Sequence, residues 1–404
     1  MLPGPASPSA KTESTAVERS LPLVLAYVLG PLLAMATRFL GPDPSWVFLA
    51  ERGIWLGLAG FGLTRALMGR NTPGGLRAGL PLTAGFVLIL AALALALSWS
   101  PPDAIRLWLA EFSPLAWLGL ALLWGWTVAP PRPRDFLSAG TGLALAVLAD
   151  LIVTSLLAWR PMLSGGFFFP SGLDRVETHA TLLLAAFAAG QMTGLDGARE
   201  PWRVRIMRFL VLAGLLATFS RTALCAAFCL ALLMGRGSWR RRSVTAALCL
   251  ACAAVPVVLP ELPGLVMERF EARLAWVGVI RSVLDQPFLL LTGVSPTGTM
   301  ALFLPPELVR ELSLPSDVIR ALPSSLGSSW LRFLAVWGIW GWLALAAGAS
   351  GLLVRGWMRG RNSPLLHKSV AVVVICLFQG LLFPLTYLPA AMVPLFLLLF
   401  LSDG

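Results

Sequence analysis

The chain has 404 residues, of which 57% are hydrophobic and 13% charged, with a mean hydropathy of +0.80. An ordinary soluble domain, at about 25% charged, is excluded by that composition. The net charge of +11 is strung between apolar runs rather than gathered on a polar domain, so nucleic acid is not an expected partner.

In chain order, residues 1–20 form a polar tail carrying Lys11 and Arg19. The first apolar run, 21–40, has no small-residue cleavage site behind it and reads as a retained helix rather than a signal peptide. Further runs at 46–68, 78–100, 104–129, 136–159, 176–195, 204–220, 222–235 and 243–260 complete a first block, 21–260. Residues 261–328 make one long extramembrane loop, and runs at 329–354, 367–384 and 386–402 fill 329–404. Most of these runs reach about 20 residues, enough to cross roughly 30 Å of hydrocarbon; the run at 222–235 is short. They are continuously apolar rather than alternating, which indicates helices and not a barrel. The expected fold is an all-α polytopic membrane protein of about twelve transmembrane helices with one large loop holding short amphipathic helices.

The cations follow this layout. Lys11 and Arg19, then Arg65, Arg70 and Arg77, then Arg132 and Arg134 fall on the tail or on every second connection. So do Arg199, Arg203, Arg205 and Arg208; Arg236, Arg240, Arg241 and Arg242; and Arg355, Arg359, Arg361 and Lys368. The positive-inside rule then places both termini in the cytoplasm and the long loop outside, with contact to anionic membrane lipid a lesser role for these charges. The remaining cations are all arginines on the opposite side: Arg38, Arg52, Arg106, Arg160, Arg175, Arg221, Arg269, Arg273, Arg281, Arg310, Arg320 and Arg332. A planar guanidinium grips phosphate or carboxylate with two parallel hydrogen bonds, so this group points to an anionic ligand arriving from the membrane.

Several residues stand out as site candidates. Glu51 with Arg52, Glu111 and Asp150 are charges within apolar runs, each needing a partner or a function. His179, in Arg175-Val176-Glu177-Thr178-His179, opens a run on the outer side and is a candidate base; a helix-start histidine bonded to Glu177 or to a carbonyl is the plainer reading. In the loop, 267–276 reads as an amphipathic helix with Arg269 and Arg273 on one face and Arg281 further along. A second amphipathic piece runs from Pro305 to about Leu312. Cys225, Cys229, Cys249, Cys252 and Cys376 all lie within apolar runs and read as small buried hydrophobes. Neither a metal-ligand grouping nor a glycine-rich phosphate loop is present, so no metal or other cofactor is expected.

Three motifs and the layout together resemble the bacterial O-antigen ligase and O-antigen polymerase superfamily. Phe219-Ser220-Arg221-Thr222-Ala223-Leu224 is similar to the family's Ser-Arg at a helix start. Arg273-Leu274-Ala275-Trp276, Gln286-Pro287 and Leu291-Thr292-Gly293-Val294-Ser295 resemble its Arg-x-x-Trp…Pro-x-x-Gly-x-Gly stretch. The loop exit, Ser328-Ser329-Trp330-Leu331 followed by Trp337-Gly338-Ile339-Trp340-Gly341, resembles the family's exit, except that the family histidine is missing near Gly327. The resemblance implies an inverting, metal-independent glycosyltransferase of the bacterial inner membrane, acting on the periplasmic side. Its donor is a glycan on undecaprenyl diphosphate, and its acceptor a sugar hydroxyl on a glycan or glycolipid. Arg221 and Arg273 would then hold the diphosphate, with Arg175, Arg269, Arg281 and Arg332 adding to the pocket. His179, Glu268, Glu271 and Asp317 are the alternatives for the base. A twelve-helix secondary transporter and a non-catalytic envelope-assembly scaffold are the competing readings; the lack of an internal repeat counts against the transporter.

Overall fold

A computed structural model describes residues 19–29, 31, 45–68, 105–125, 130–158, 173–193, 201–235, 238–258, 276, 278–280, 287–294, 296–303, 310, 318–323, 326, 328–360, 363–382 and 387–401. The N-terminal segment 19–29 ends in a wide turn, Leu25–Leu29. After it come α1 (Ser45–Met68), α2 (Ile105–Leu123), α3 (Pro133–Ala158), α4 (Leu173–Met192), α5 (Trp202–Ala217), α6 (Arg221–Met234) and α7 (Trp239–Val258). The chain continues with α8 (Pro287–Thr292), β1 (Met300–Phe303), β2 (Val318–Ala321), α9 (Ser329–Met358), α10 (Pro364–Leu382) and α11 (Pro389–Leu397). Four of these helices, α3, α8, α10 and α11, open on proline, whose missing N–H costs nothing in a first turn. Three helical stretches, Pro133–Ile152, Ser329–Met358 and Pro364–Leu381, are long and apolar enough to cross a membrane. The molecule has the character of a helical membrane protein.

Helix α4 is the hub. It packs against α3, α5, α6, α10 and α11, and residues 179–189 are buried on every side. A helix apolar all round is one enclosed by other helices. Tyr27 anchors the N-terminal segment to it, donating its hydroxyl proton to the Leu182 carbonyl at 2.6 Å. Small residues bring α3 against α4 and α5. A Cβ on Gly140 would stand 2.3 Å from Ala186 Cβ, and one on Gly214 2.6 Å from Ala144 Cβ, the backbone approach that helix packing in lipid favours.

Helix directions sort the polar residues between two ends. Arg132 and Arg134 precede or open α3, Arg203, Arg205 and Arg208 open α5, and Arg240–Arg242 open α7, while Arg355 and Arg359 close α9 and Lys368 opens α10. Contacts tie these together at one end: Arg208 donates to the Thr193 carbonyl past the C-terminus of α4 (3.1 Å), and Lys368 to the Leu401 carbonyl (2.5 Å). This basic end is the segregation the alternating connections predict. The starts of α4, α6 and α9 and the finish of α10 meet at the opposite end.

Helix α9 is not one straight rod. Gly338 has φ 59° and ψ −155° within it. Trp342 Nε1 nevertheless donates to the Trp330 carbonyl at 3.0 Å, twelve residues back, a separation of about 18 Å along a straight helix. The chain therefore folds back at Gly338, and 339–358 runs on as a separate helix about 30 Å long. The fold-back also leaves the Ala335 carbonyl to the Val294 N–H beyond α8, at 2.6 Å. The single span expected at 329–354 is thus corrected to a short capping helix followed by a span; only glycine takes this conformation readily.

Val279 and Leu326 of the 261–328 segment pack at the same end against Leu331 and Ala335 of α9, flanked by Trp276, Leu290, Val294 and Leu334. Trp276 Nε1 donates to the Leu381 carbonyl at 3.0 Å. Beside the helices this segment holds one short ribbon: β1 and β2 pair antiparallel, Met300 opposite Ala321 and Phe303 opposite Val318. Away from any helix these apolar four-residue runs satisfy their backbone by pairing with each other. The expected helix at 305–312 lies outside the described residues apart from an exposed Arg310.

Candidate functional site

Between α5 and α6 the chain turns through Thr218, Phe219 and Ser220. Phe219 has φ +50°, an uncommon conformation for a bulky residue and one that marks a held turn. The Thr218 hydroxyl donates to the Leu215 carbonyl (2.7 Å) and accepts from the Ser220 N–H (3.3 Å), fixing Ser220 as the cap of α6. Its Oγ accepts from the Ala223 N–H at 3.3 Å, the usual role of a serine there. With 16 residues in α5 and 14 in α6, the two helices are about 24 and 21 Å long. Both fall short of a hydrocarbon core of roughly 30 Å, so with their far ends at one membrane surface the turn would stop short of the other, in a recess of the bundle end.

A carboxylate waits in that recess. Glu177, one turn into α4, receives the Ser220 hydroxyl proton on Oε2 at 2.6 Å. Thr222 Oγ1 lies 3.2 Å from the same oxygen and 2.8 Å from Gln379 Oε1 on α10. Thr222 has one proton for these two acceptors. The Gln379 side chain, with 0% exposure, also interacts with the Glu177 carboxyl. Both hydroxyls address Oε2, and Gln379 acts on the same carboxyl as a third neutral partner. The half-buried Arg221, at the first position of α6, stands near enough for its charge to act on Glu177. Three helices thus converge on a carboxylate beside a guanidinium.

A second polar cluster lies at this end of the bundle. Arg332 donates to Glu111 Oε1 through Nε (2.8 Å) and Nη2 (2.5 Å). Tyr387 donates to Glu111 Oε2 at 2.9 Å, and its ring lies 3.6 Å from the Arg332 Cζ. Glu111 is 2% exposed and Arg332 7%. Phe333 packs beside Tyr387, and Trp337 meets Phe112 edge to face. This is a closed internal ion pair, holding α2, α9 and the start of α11 together.

The two clusters are joined through α10. Ser328 caps α9, accepting from the Leu331 N–H and donating to the Gly380 carbonyl at 3.0 Å. Trp330 Nε1 donates to the Leu377 carbonyl at 3.0 Å, and a Cβ on Gly380 would stand 2.6 Å from that nitrogen. The exit motif of the long segment is therefore docked one residue from Gln379.

Of the candidates read from sequence, Arg221 alone is described at this recess. Arg273, Arg269 and Arg281 lie outside the described residues, as do Glu268, Glu271 and Asp317, and the Arg175 side chain is not described. His179 is buried at 3% exposure; two residues beyond Glu177, it points about 200° around the helix from it, away from Ser220. Arg332 is engaged by Glu111 rather than open to a ligand. Glu51 and Arg52 also have undescribed side chains. Glu177, Thr222 and Gln379 were not singled out by sequence. The usable signal for Glu177 was a carboxylate one turn inside an apolar run.

No family model, no curated protein and no solved structure matches the chain. The class that fold and site define is a helical membrane protein with a recessed carboxylate–guanidinium site at one end of its bundle. The likeness to the ligase and polymerase superfamily rests on the motifs quoted above.

Proposed function

We propose that the protein transfers a glycan from undecaprenyl diphosphate to an acceptor sugar hydroxyl at the outer leaflet of the bacterial inner membrane, as a ligase or a polymerase. The observation that carries this reading is Arg221, half-buried in the recess at the tip of two helices shorter than a bilayer. A lipid tail lying between helices would bring its diphosphate to that depth. The positive-inside rule assigns the basic end to the cytoplasm and the recess to the periplasm. Arg221, with Arg273 from the long segment, holds the diphosphate and offsets the charge that grows as it departs. Fixed guanidinium groups in a water-poor site do this without reorganising. Attack by the acceptor oxygen on the anomeric carbon, opposite the departing diphosphate, gives inversion.

Binding of undecaprenyl diphosphate and of undecaprenyl phosphate to the protein in nanodiscs tests the reading. Wild type should prefer the diphosphate, and Arg221→Ala should lose that preference while remaining folded. Arg221→Lys should recover little, because it lacks the planar fork. Equal binding of both lipids by wild type and Arg221→Ala would overturn it. Burial of Asp150 in α3 is the observation that favours a transporter. A labelled lipid-linked donor separates the two, because an enzyme consumes it and a transporter moves it intact.

A further inference from the structure

From its place in the chain the long 261–328 segment reads as extramembrane. We propose that one piece of it, α8, is seated in the membrane leaflet on the side of the recess, with Phe288 and Leu291 among lipid acyl chains. Three observations lead there.

The first is depth. Helix α8 packs on α9 at the fold-back. A Cβ on Gly338 would stand 2.7 Å from the Leu290 and Leu291 carbonyl oxygens, and one on Gly293 would collide with the Val336 carbonyl. At the other end of the span 339–358, Arg355 and Arg359 mark the headgroup level. Gly338 lies 17 residues before Arg355, about 26 Å along a straight helix. Hydrocarbon is roughly 30 Å thick, so the fold-back and the α8 backbone touching it fall within it. Any tilt of the span sets them deeper.

The second is what α8 presents. Phe288 is 70% exposed, and Leu291, three residues on and on the same face, is exposed as well. Trp340 and Leu343 are exposed on the span within five residues of the Gly338 contact. The apolar surface of α8 therefore begins beside the lipid-facing surface of the span.

The third is polarity. No charged residue occurs between Asp285 and Glu307, although the rest of 261–328 carries them on both sides. Thr292 has the one polar side chain on α8, and its hydroxyl turns back on the local backbone, 3.1 Å from the Phe288 carbonyl and 3.2 Å from that of Gly293. The Val294 N–H, just beyond, is taken by the Ala335 carbonyl. Polar groups satisfied within the protein are what irregular backbone requires at this depth. Seated this way, α8 holds the long segment at the bilayer surface, the level at which a lipid-linked donor carries its diphosphate. The seating itself does not depend on the transfer reading.

The experiment uses the full-length protein in nanodiscs of phosphatidylethanolamine and phosphatidylglycerol, with its five native cysteines replaced by alanine. Single cysteines introduced as Phe288→Cys, Leu291→Cys, Leu343→Cys and Arg310→Cys carry a nitroxide. Power saturation with oxygen, which enters lipid, and with a nickel chelate, which stays in water, gives a collision ratio at each site. The ratio at 288 and 291 should match that at 343 in the span and exceed that at 310, which is exposed in the long segment. A ratio equal to that at 310 means that water covers α8, and overturns the proposal. Protection from both reagents means that protein covers it, a second copy or another part of this chain, and overturns it equally. If the cysteine-free protein does not fold, wild type is irradiated with a phospholipid carrying a diazirine on its acyl chain. Adducts on 287–291 together with adducts on 339–358 are expected; adducts on 339–358 alone contradict the seating.

Discussion

Two carboxylates lie at the same end of this bundle, Glu111 buried and Glu177 half-buried, and their surroundings differ. Glu111 is closed off: Arg332 takes one oxygen, Tyr387 the other, and aromatic rings pack around the pair. Glu177 is met by neutral groups, the Ser220 and Thr222 hydroxyls and the Gln379 side chain, with the charge of the half-buried Arg221 acting on it as well. A fully matched charge pair fixes helices in place. The same residue types therefore form a closed ion pair in one cluster and a carboxylate among neutral hydrogen-bonding groups in the other.

The sharpest way to break this comparison is to remove Arg332. Arg332→Ala leaves Glu111 charged and buried, so stability should fall by about 3–5 kcal/mol. Thermal unfolding in detergent reads it, and Arg332→Met combined with Glu111→Leu should recover most of the loss. A variant as stable as wild type would mean the pair is not closed. Arg221→Ala should do the reverse, leaving the melting temperature in place while lowering glycan transfer by about 10²–10³-fold, the scale set by loss of one preorganised electrostatic contact. A fall in stability comparable to that of Arg332→Ala would give Arg221 the same structural role.

Smaller effects test the elements that bring the two clusters together. Gly338→Ala puts an L residue at φ 59°, with its Cβ 2.7 Å from the Leu290 and Leu291 carbonyls. It should cost at least about 1–2 kcal/mol, measured by the same unfolding assay. Ser328→Ala removes the cap of α9 and its bond to Gly380, and about 1 kcal/mol is expected. A Gly338→Ala protein with unchanged stability would show that the fold-back is not needed.

Much of the helical layout was legible because apolar length reports on it directly. Expected runs at 46–68, 136–159 and 243–260 differ by a few residues from Ser45–Met68, Pro133–Ala158 and Trp239–Val258. The break in α9 was less so: Trp337-Gly338-Ile339-Trp340-Gly341 carries the glycine, but hydropathy averages over it. The strands at Met300–Phe303 and Val318–Ala321 are too short for a period to register. The candidate site was legible only as Ser220-Arg221. What completes it comes from far along the chain, Glu177 lying 43 residues before Ser220 and Gln379 157 residues after Thr222. Hydropathy does not say which helix faces meet. His179 drew notice as a rare residue type, while Glu177, on the opposite face of the same turn, is the group placed beside the arginine.

The most direct measurement is release of polyprenyl diphosphate from lipid-linked oligosaccharides by purified wild type and by Arg221→Ala, with and without acceptor. Release by wild type that requires acceptor and disappears in Arg221→Ala is the predicted result. Release that persists undiminished in Arg221→Ala, or donor left intact by wild type across the set, would contradict glycosyl transfer at this recess.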